Sequence, residues 1–212
     1  MSAVKGVSAP VYFGSFLVTP QVISPSCGLN RLTHVETNLG PLSKQVFHQT
    51  PLSFALVNLK PILPGHVLVS SRRVVPRITD LTPAETSDLF LTVRRVGRMV
   101  ERVYGAASLN IAVQDGVHAG QSVPHVHAHI IPRKPADLDP IDAVYGMLGG
   151  EDGDVGKALR ETQTGRHTNS ESPKKRTRFP VVDNEARKPR SAEEMQTEAE
   201  MLGREMEKEA LD

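Results

Sequence analysis

One stretch of nine residues constrains this chain more than any other: Pro124-His125-Val126-His127-Ala128-His129-Ile130-Ile131-Pro132. Three histidines alternate with apolar residues, and a proline stands at each end. Positions two apart point to nearly opposite faces of a helix but share one face of a strand. Alternation with β-branched residues between prolines therefore predicts a short strand. Val126, Ala128 and Ile130 would face a core, and the three imidazoles would form a row on the other face.

Three readings of that row compete. It could be the polar face of an ordinary strand, although strict alternation of three histidines is more than such a face needs. It could bind metal, since His-x-His is a common ligand pair. A strand rises roughly 3.3 Å per residue, however, which separates His125 from His129 by about 13 Å. Zinc holds its nitrogens at about 2 Å, so all three could share one ion only on a sharply bent strand. A two-histidine site would need a further ligand, and the single cysteine, Cys27, lies far upstream. No metal ligand is assigned. The third reading is nucleophilic catalysis. Imidazole, with a reference pKa of about 6.5, is available as the neutral base near pH 7. It attacks phosphorus well and leaves well, which suits covalent phosphoryl or nucleotidyl transfer. This reading leads.

Composition narrows the class. The 212 residues predict one domain with appendages. Twenty-five basic against 24 acidic residues leave a net charge of +1, so no broad electrostatic footprint for nucleic acid exists. One cysteine excludes an internal disulfide framework and fits a reducing compartment. No apolar run approaches the roughly 20 residues of a membrane helix, and the N-terminus lacks a signal-peptide pattern. The expectation is a soluble intracellular protein that meets neither membrane nor nucleic acid.

Along the chain, VYFGSFLV at 11–18 predicts a strand. Two short apolar strands follow at 53–59 and 66–70, joined through Pro64-Gly65 turn chemistry. Asn58, at the end of the first, fits a turn former or a functional group. The clearest helix spans 82–104. Thr82-Pro83-Ala84-Glu85 supplies an N-cap, a proline at the first helical position and a capping-box acid. Leu89, Val93, Val96, Val100 and Val103 give its apolar stripe, Arg94, Arg95, Arg98 and Arg102 a solvated face, and Gly105 its end. SLNIAV at 108–113 reads as another strand. Directly before the histidines come Gly120, which permits close backbone approach to a ligand, and Gln121 and Ser122, neutral donors suited to phosphate oxygens. Residues 147–190 read as a disordered or flexible loop. Lys174-Lys175-Arg176 within it fits a solvated charge run or, as the alternative, nuclear import. A second capping box, Ser191 with Glu194, opens a C-terminal helix within 191–212, striped by Met195, Ala199, Leu202 and Met206. Short antiparallel strands around one long capped helix make an α+β domain over 11–146.

HVHAHII, together with SFALVNLKPILPGHVLV at 53–69, DLTPAETSDLF at 80–90 and QDGVHAGQSVPHVHAHIIPRK at 114–134, resembles the histidine triad (HIT) superfamily. Within it the chain is similar to the fragile histidine triad branch, whose fungal members include bis(5′-adenosyl)-triphosphatases. The resemblance covers about 11–21, 46–146 and the tail around 183–203. It implies a HIT-like fold: a five-stranded antiparallel sheet with one long helix and a C-terminal helix, paired into a homodimer with a continuous sheet.

The resemblance also implies an activity, hydrolysis of diadenosine triphosphate to AMP and ADP. His127 would attack the α-phosphorus and form a covalent nucleotidyl-histidine; spacing alone cannot choose it among the three. Its Nδ1 should donate to a backbone carbonyl, leaving Nε2 free. His129 would hold phosphate oxygens and help protonate the leaving group, and His125 would orient the loop. Gln114 would lie near the scissile and bridging oxygens. Gly120, Gln121, Ser122 and Val123 would bind phosphates, Asn58 the ribose, and the 11–18 strand, through Phe16, the nucleobase pocket. His66 would stand behind the triad in a supporting hydrogen bond. Tyr145 resembles a tyrosine that can be phosphorylated near bound substrate. No cofactor is expected to be tightly bound, though Mg²⁺ or Mn²⁺ can assist the substrate. The expected localisation is cytoplasmic, with the nucleus as a second compartment. Two alternatives stay open: a dinucleotide-binding signalling module with slow turnover, and a HIT phosphoramidase or nucleotidyl transferase. Gln121-Ser122 and the C-terminal extension favour the dinucleotide branch, and a transferase of the galactose-1-phosphate type would carry structural metal ligands on a longer chain.

One segment fits none of this. Residues 22–45 have no steady period and scatter Pro, Gly, Ser and Asn, which reads as loop. A structureless loop of that length is unusual inside a compact domain. Removing it joins Gln21 to Val46 and gives FLVTPQVFHQTPLSFALVN, continuous family-like sequence. Its 24 residues start with valine, whose codons begin GT, and end with glutamine, which CAG encodes. Those are the two ends of a spliced intron. The expectation is a translated, unspliced intron, with a lineage-specific surface loop as the alternative.

Overall fold

The structure, a computed structural model, describes residues 11–13, 16–18, 45–149 and 190–210. The 147–190 loop between Gly149 and Arg190, Lys174-Lys175-Arg176 within it, and all of the 22–45 segment except Gln45 lie outside the described residues.

Seven strands and three α-helices order the described chain. They are β1 (Val11–Phe13), β2 (Phe16–Val18), β3 (Val46–Gln49), β4 (Ser53–Val57), β5 (Val67–Ser71), α1 (Pro83–Tyr104), β6 (Ser108–Val113), β7 (His127–Arg133), α2 (Ala143–Gly149) and α3 (Ala192–Met206). Strands β3 to β7 form one antiparallel sheet in the order β3-β4-β5-β7-β6. The fold class is the expected α+β.

Helix α1 begins where its sequence says it should. Thr82 Oγ1 accepts from the Glu85 N–H, the Glu85 carboxylate accepts from the Thr82 N–H, and Gly105 ends the helix at φ 59°. Leu89, Val93, Val96 and Val100 are buried, in one cluster with Phe54, Leu56, Val69, Ala128 and Ile130. Burying such a stripe supplies the main driving force for folding, at about 25 cal/mol per Å² of apolar surface. A second cluster of Ile62, Ile131, Val144, Met147 and Leu148 seats α2. Ala128 and Ile130 therefore point to one face of the sheet and Ile131 to the other, as alternation requires.

Four expectations change. The 11–18 strand is a hairpin, β1 paired with β2 through Phe13↔Phe16. The Gly14-Ser15 dipeptide between them is two-residue hairpin chemistry, which outweighs the apolar run. The triad strand starts at His127, not at His125. The His125 N–H bonds the Val123 carbonyl at 2.7 Å, a three-residue turn centred on Pro124, whose fixed φ suits it. Pro132 does not stop β7, because the pairing with β5 has ended at Ile130 and no ladder donor is required there. Met147 and Leu148 belong to α2 rather than to the following loop, held by apolar contacts distant in sequence.

The arginine face of α1 is only partly solvated. Arg102 pairs with Glu205 at 2.6 Å and Glu209 at 2.8 Å, Arg95 donates to the carbonyls of Met206 and Glu209, and Arg98 to that of Ala210. Three of the four arginines thus bind the end of α3 or the residues just after it, while Arg94 is exposed. The apolar stripe of α3, with Met195, Ala199, Leu202 and Met206 buried, joins the main core. Gln45 is buried, and its carbonyl accepts from the Val57 N–H at 2.9 Å, extending the β3–β4 ladder.

Candidate active site

Strand β7, between β5 and β6, places His127 opposite Ser70 and His129 opposite Leu68. Both rings are buried, and their centroids lie 5.1 Å apart, edge to face. His127 Nδ1 is 2.7 Å from the His125 carbonyl oxygen. A carbonyl can only accept, so Nδ1 carries the proton and Nε2 keeps its lone pair. Among the described residues that Nε2 has no hydrogen-bond partner. Burial holds the His127 pKa below the ordinary 6.5, against an opposing pull from the His125 carbonyl. The ring is a neutral base with its nucleophilic nitrogen unpaired.

The protons of His129 follow from a chain of contacts. The Ile62 N–H donates to His66 Nδ1 at 3.1 Å, so that nitrogen is unprotonated and His66 Nε2 bears the hydrogen. His66 Nε2 lies 3.0 Å from His129 Nδ1 and donates to it. His129 in turn carries its proton on Nε2, which has no partner among the described residues. Burial, with His127 and His66 close by, pushes the His129 pKa well below 6.5. One backbone N–H thus fixes two imidazoles in turn. An unshared lone pair on His127 stands beside an N–H donor on His129.

His125 sits just before the strand, with its ring against Ser71. Ser71 Oγ gives its hydrogen to the Arg73 carbonyl at 2.9 Å, so the 3.1 Å contact with His125 Nε2 is a donation from the histidine. Burial drives the His125 pKa to about 4, with His127 pushing it the same way. The ring is held by Ser71, and the His125 carbonyl serves His127.

The neighbouring residues divide by what their polar atoms already do. Gln114 is buried, its Nε2 donating to the Leu148 carbonyl at 3.0 Å while its Oε1 has no partner among the described residues. Gly120 has φ 87°, and a Cβ there would come within 2.6 Å of Gln114 Nε2, so its missing side chain makes room for the glutamine. Gln121 is engaged at both ends: Oε1 accepts from the Gly116 N–H at 3.2 Å, and Nε2 donates to the Pro76 carbonyl at 2.8 Å. It braces the loop, as does Asp115, which accepts from the Ile78 N–H and Arg77. Ser122 is half-buried in the same loop. Val123 is buried in the main core, which leaves only its backbone for a ligand. Asn58 is buried and its Oδ1 accepts from the Lys60 N–H at 3.0 Å. Its Nδ2 lies 3.3 Å from His66 Nε2, but both atoms carry hydrogen, so the amide hydrogens are left for another acceptor. Tyr145 is exposed on α2.

Phe16 lies in β2, but its side chain is outside the described residues. Its hairpin partner Phe13 is buried, with its ring 5.2 Å from that of His127 and 5.5 Å from that of His125. Sequence reasoning named Phe16 for the nucleobase pocket, an expectation that lies outside the described side chains, and did not anticipate the contact of Phe13 with His127. It also missed Ser71, for which a serine ending an apolar strand gives no signal.

Among the described residues no group of three or more His, Cys, Asp or Glu is arranged to hold a metal ion, and no helix is long and apolar enough to cross a membrane.

Comparison with known proteins agrees with this geometry. The HIT domain model matches residues 41–136. A bis(5′-nucleosyl)-tetraphosphatase (asymmetrical) of Schizosaccharomyces pombe is 51% identical over 162 residues, which span 76% of this chain and 88% of that protein. A bis(5′-adenosyl)-triphosphatase of Saccharomyces cerevisiae is 40% identical over 148 residues, 69% of this chain and 60% of that one. Among solved structures, the C. elegans NitFhit protein is 37% identical with a TM-score of 0.49, covering 74% of this chain and 31% of that chain. Half-identical to one relative along most of both sequences, and matched by the domain model across the sheet and the histidine row, the chain belongs to the histidine triad family.

Proposed function

We propose that this chain hydrolyses dinucleoside polyphosphates, cutting diadenosine triphosphate to AMP and ADP. The observation that carries the reading is the pair of fixed tautomers: an unpaired His127 Nε2 lone pair beside an unpaired His129 Nε2–H. The lone pair attacks the α-phosphorus, a nitrogen–phosphorus bond forms, and the bond to the bridging oxygen breaks. The positive charge that develops on the His127 ring is stabilised through Nδ1–H by the His125 carbonyl. ADP leaves as the phosphate anion, its oxygen accepting a hydrogen bond from His129 Nε2–H. Water then displaces His127 from phosphorus and releases AMP, so two in-line steps give net retention. Gln114 Oε1 and the Asn58 amide hydrogens are the neutral groups left to meet substrate.

A tetraphosphate bridge fits the same chemistry, and the fission-yeast relative's name supports keeping it in view. Attack at the phosphorus next to one nucleoside gives AMP whatever the bridge length. Incubation with diadenosine triphosphate, diadenosine tetraphosphate and adenosine phosphoramidate decides among the readings. AMP with ADP from the first is the expected result. Preferential AMP with ATP from the second would make the chain a tetraphosphatase, cleavage of the third alone a phosphoramidase, and tight binding without turnover a signalling module. A divalent cation, Mg²⁺ or Mn²⁺, acts here on the phosphate bridge rather than as a resident group. The working unit is a homodimer, which sedimentation would show by twice the chain mass. The edge strand β6, with Ile111 half exposed, supports this assembly.

A further inference from the structure

The loop between β4 and β5 carries Asn58 at one end and His66 at the other, and residues from α1 and the C-terminal segment grip it from outside. Arg190 Nε donates to the Asn58 carbonyl at 3.1 Å, Nη2 reaches the same oxygen, and the Arg190 N–H bonds the Leu59 carbonyl at 3.1 Å. The remaining arm of the guanidinium, Nη1, pairs with Glu198 on α3. Glu198 also accepts from the Tyr104 hydroxyl at 2.6 Å. Burial, reinforced by that carboxylate, pushes the Tyr104 pKa up, which keeps the hydroxyl a donor. The Tyr104 ring packs on Gly65, next to His66, so closely that a Cβ there would come within 2.6 Å of it.

Docking of α3 does not require this polar set. Its buried Met195, Ala199, Leu202 and Met206 hold the helix on the sheet, and Arg102 with Glu205 and Glu209 holds its far end. A half-buried ion pair adds little stability, because desolvation offsets its attraction. What a guanidinium forked between a carboxylate and a carbonyl does supply is direction. Here the direction is aimed at the backbone of Asn58. Within the loop so held, the Ile62 N–H donates to His66 Nδ1 at 3.1 Å, and His66 Nε2–H reaches His129 Nδ1 at 3.0 Å.

We propose that Arg190, oriented by Glu198 and Tyr104, is a positioning residue for the reaction: by holding the loop from Asn58 to His66 it fixes Asn58 and, through the Ile62 N–H and His66, the donor proton of His129. It touches no reacting atom. The kinetic part rests on the hydrolase reading above; the effect on the imidazoles does not.

The test uses the full chain. Arg190→Gln, Glu198→Gln and Arg190→Lys are compared with Arg102→Gln, which removes ion pairs from the same helix away from the site. Arg190→Gln is expected to lower kcat on diadenosine triphosphate about tenfold to a hundredfold. Glu198→Gln should fall in the same direction by less, and Arg190→Lys should recover part of the loss. Arg102→Gln should lose comparable melting temperature with kcat unchanged. Two-bond proton–nitrogen spectra of the imidazoles give a readout independent of turnover. In the parent chain His66 and His129 should both appear as Nε2–H tautomers. Arg190→Gln should shift their nitrogens toward a tautomer mixture while His127 stays Nδ1–H, and Arg102→Gln should move neither. Imidazole spectra identical in Arg190→Gln and the parent chain overturn the proposal, as does a kcat loss that merely tracks melting temperature in both Arg190→Gln and Arg102→Gln. Absence of hydrolysis by the parent chain would sink the hydrolase reading, with the spectra still deciding the positioning.

Discussion

His127 is defined by its two nitrogens, and its prediction follows from them. With Nδ1 committed to the His125 carbonyl and Nε2 free, replacing the ring removes the covalent route itself. His127→Ala should lower turnover by about three orders of magnitude or more. Substrate binding should largely survive, since Asn58 and Gln114 remain. Acid quenching of the parent enzyme on labelled substrate should trap a phosphoramidate on His127; label on another residue would contradict the mechanism. Gly120 makes a second residue-scale prediction. An alanine there adopts φ 87° at a cost of about 1–2 kcal/mol and drives its Cβ against Gln114 Nε2. Gly120→Ala should therefore lower kcat/KM by displacing the glutamine from the Leu148 carbonyl, and a variant with unchanged kinetics would mean that Gln114 is not in the site. The phenylalanines show a limit of reading at this scale. Phe13 and Phe16 are equivalent in a run of apolar residues, and only the hairpin register puts Phe13 beside His127.

At the scale of elements, α1 and β7 differ in how much of them is local. Thr82, Pro83, Glu85 and Gly105 act within one turn of their own positions, so both ends of α1 could be read directly. Thr82→Ala should cost about 1 kcal/mol of stability, seen as a lower urea midpoint with an unchanged slope. Strand β7 has its alternation written in sequence, but its start is set by the turn at Pro124. Because both faces of the sheet are covered there, its histidines are held below their ordinary pKa. That burial gives the element a pH dependence of known sign. Between the folded value and 6.5 the unfolded chain binds more protons than the folded one. Stability is therefore fully present above about pH 6.5 and declines as pH falls, down to about 4 for His125 on β7's approach and for His48 on β3. Glu85, held near 2 by Arg73, extends the decline below its ordinary carboxylate range. Urea unfolding at pH 7.5, 5.5 and 4.5 should show a stepwise loss; equal stability at all three would mean these imidazoles are not buried neutral. The same depression should leave catalysis active somewhat below pH 6.5.

For the whole molecule, the prediction concerns what can be removed. Gln45, the last residue of the 22–45 segment, is buried and completes a ladder bond to Val57. Deleting Val22–Gln45 puts Gln21 in that place, an identical residue, and joins β2 to β3 through three residues. The shortened protein should fold at least as well and keep its activity. Loss of activity would assign the segment a function, and mature messages that all retain its coding sequence would refute the intron origin. Extensive chelation is the complementary experiment: the fold should persist without bound zinc, and a zinc ion needed for folding would overturn the catalytic reading of the histidine row.

Sequence by itself determined the features whose physics is short-ranged. Alternation gave the strand parity of the histidines, and cap residues gave both ends of α1 and the start of α3. Long colinear motifs gave the family. Tertiary structure decided whatever depends on a distant partner. His66 becomes the donor to His129 only because the Ile62 N–H points at its other nitrogen. Three arginines of α1, polar by composition, hydrogen-bond to the end of α3 and the residues just after it. Arg190 reaches Asn58, 132 positions away. A proton's place on an imidazole, or a guanidinium's choice of acceptor, is fixed by what the fold brings within about 3 Å, and residue order does not encode that distance.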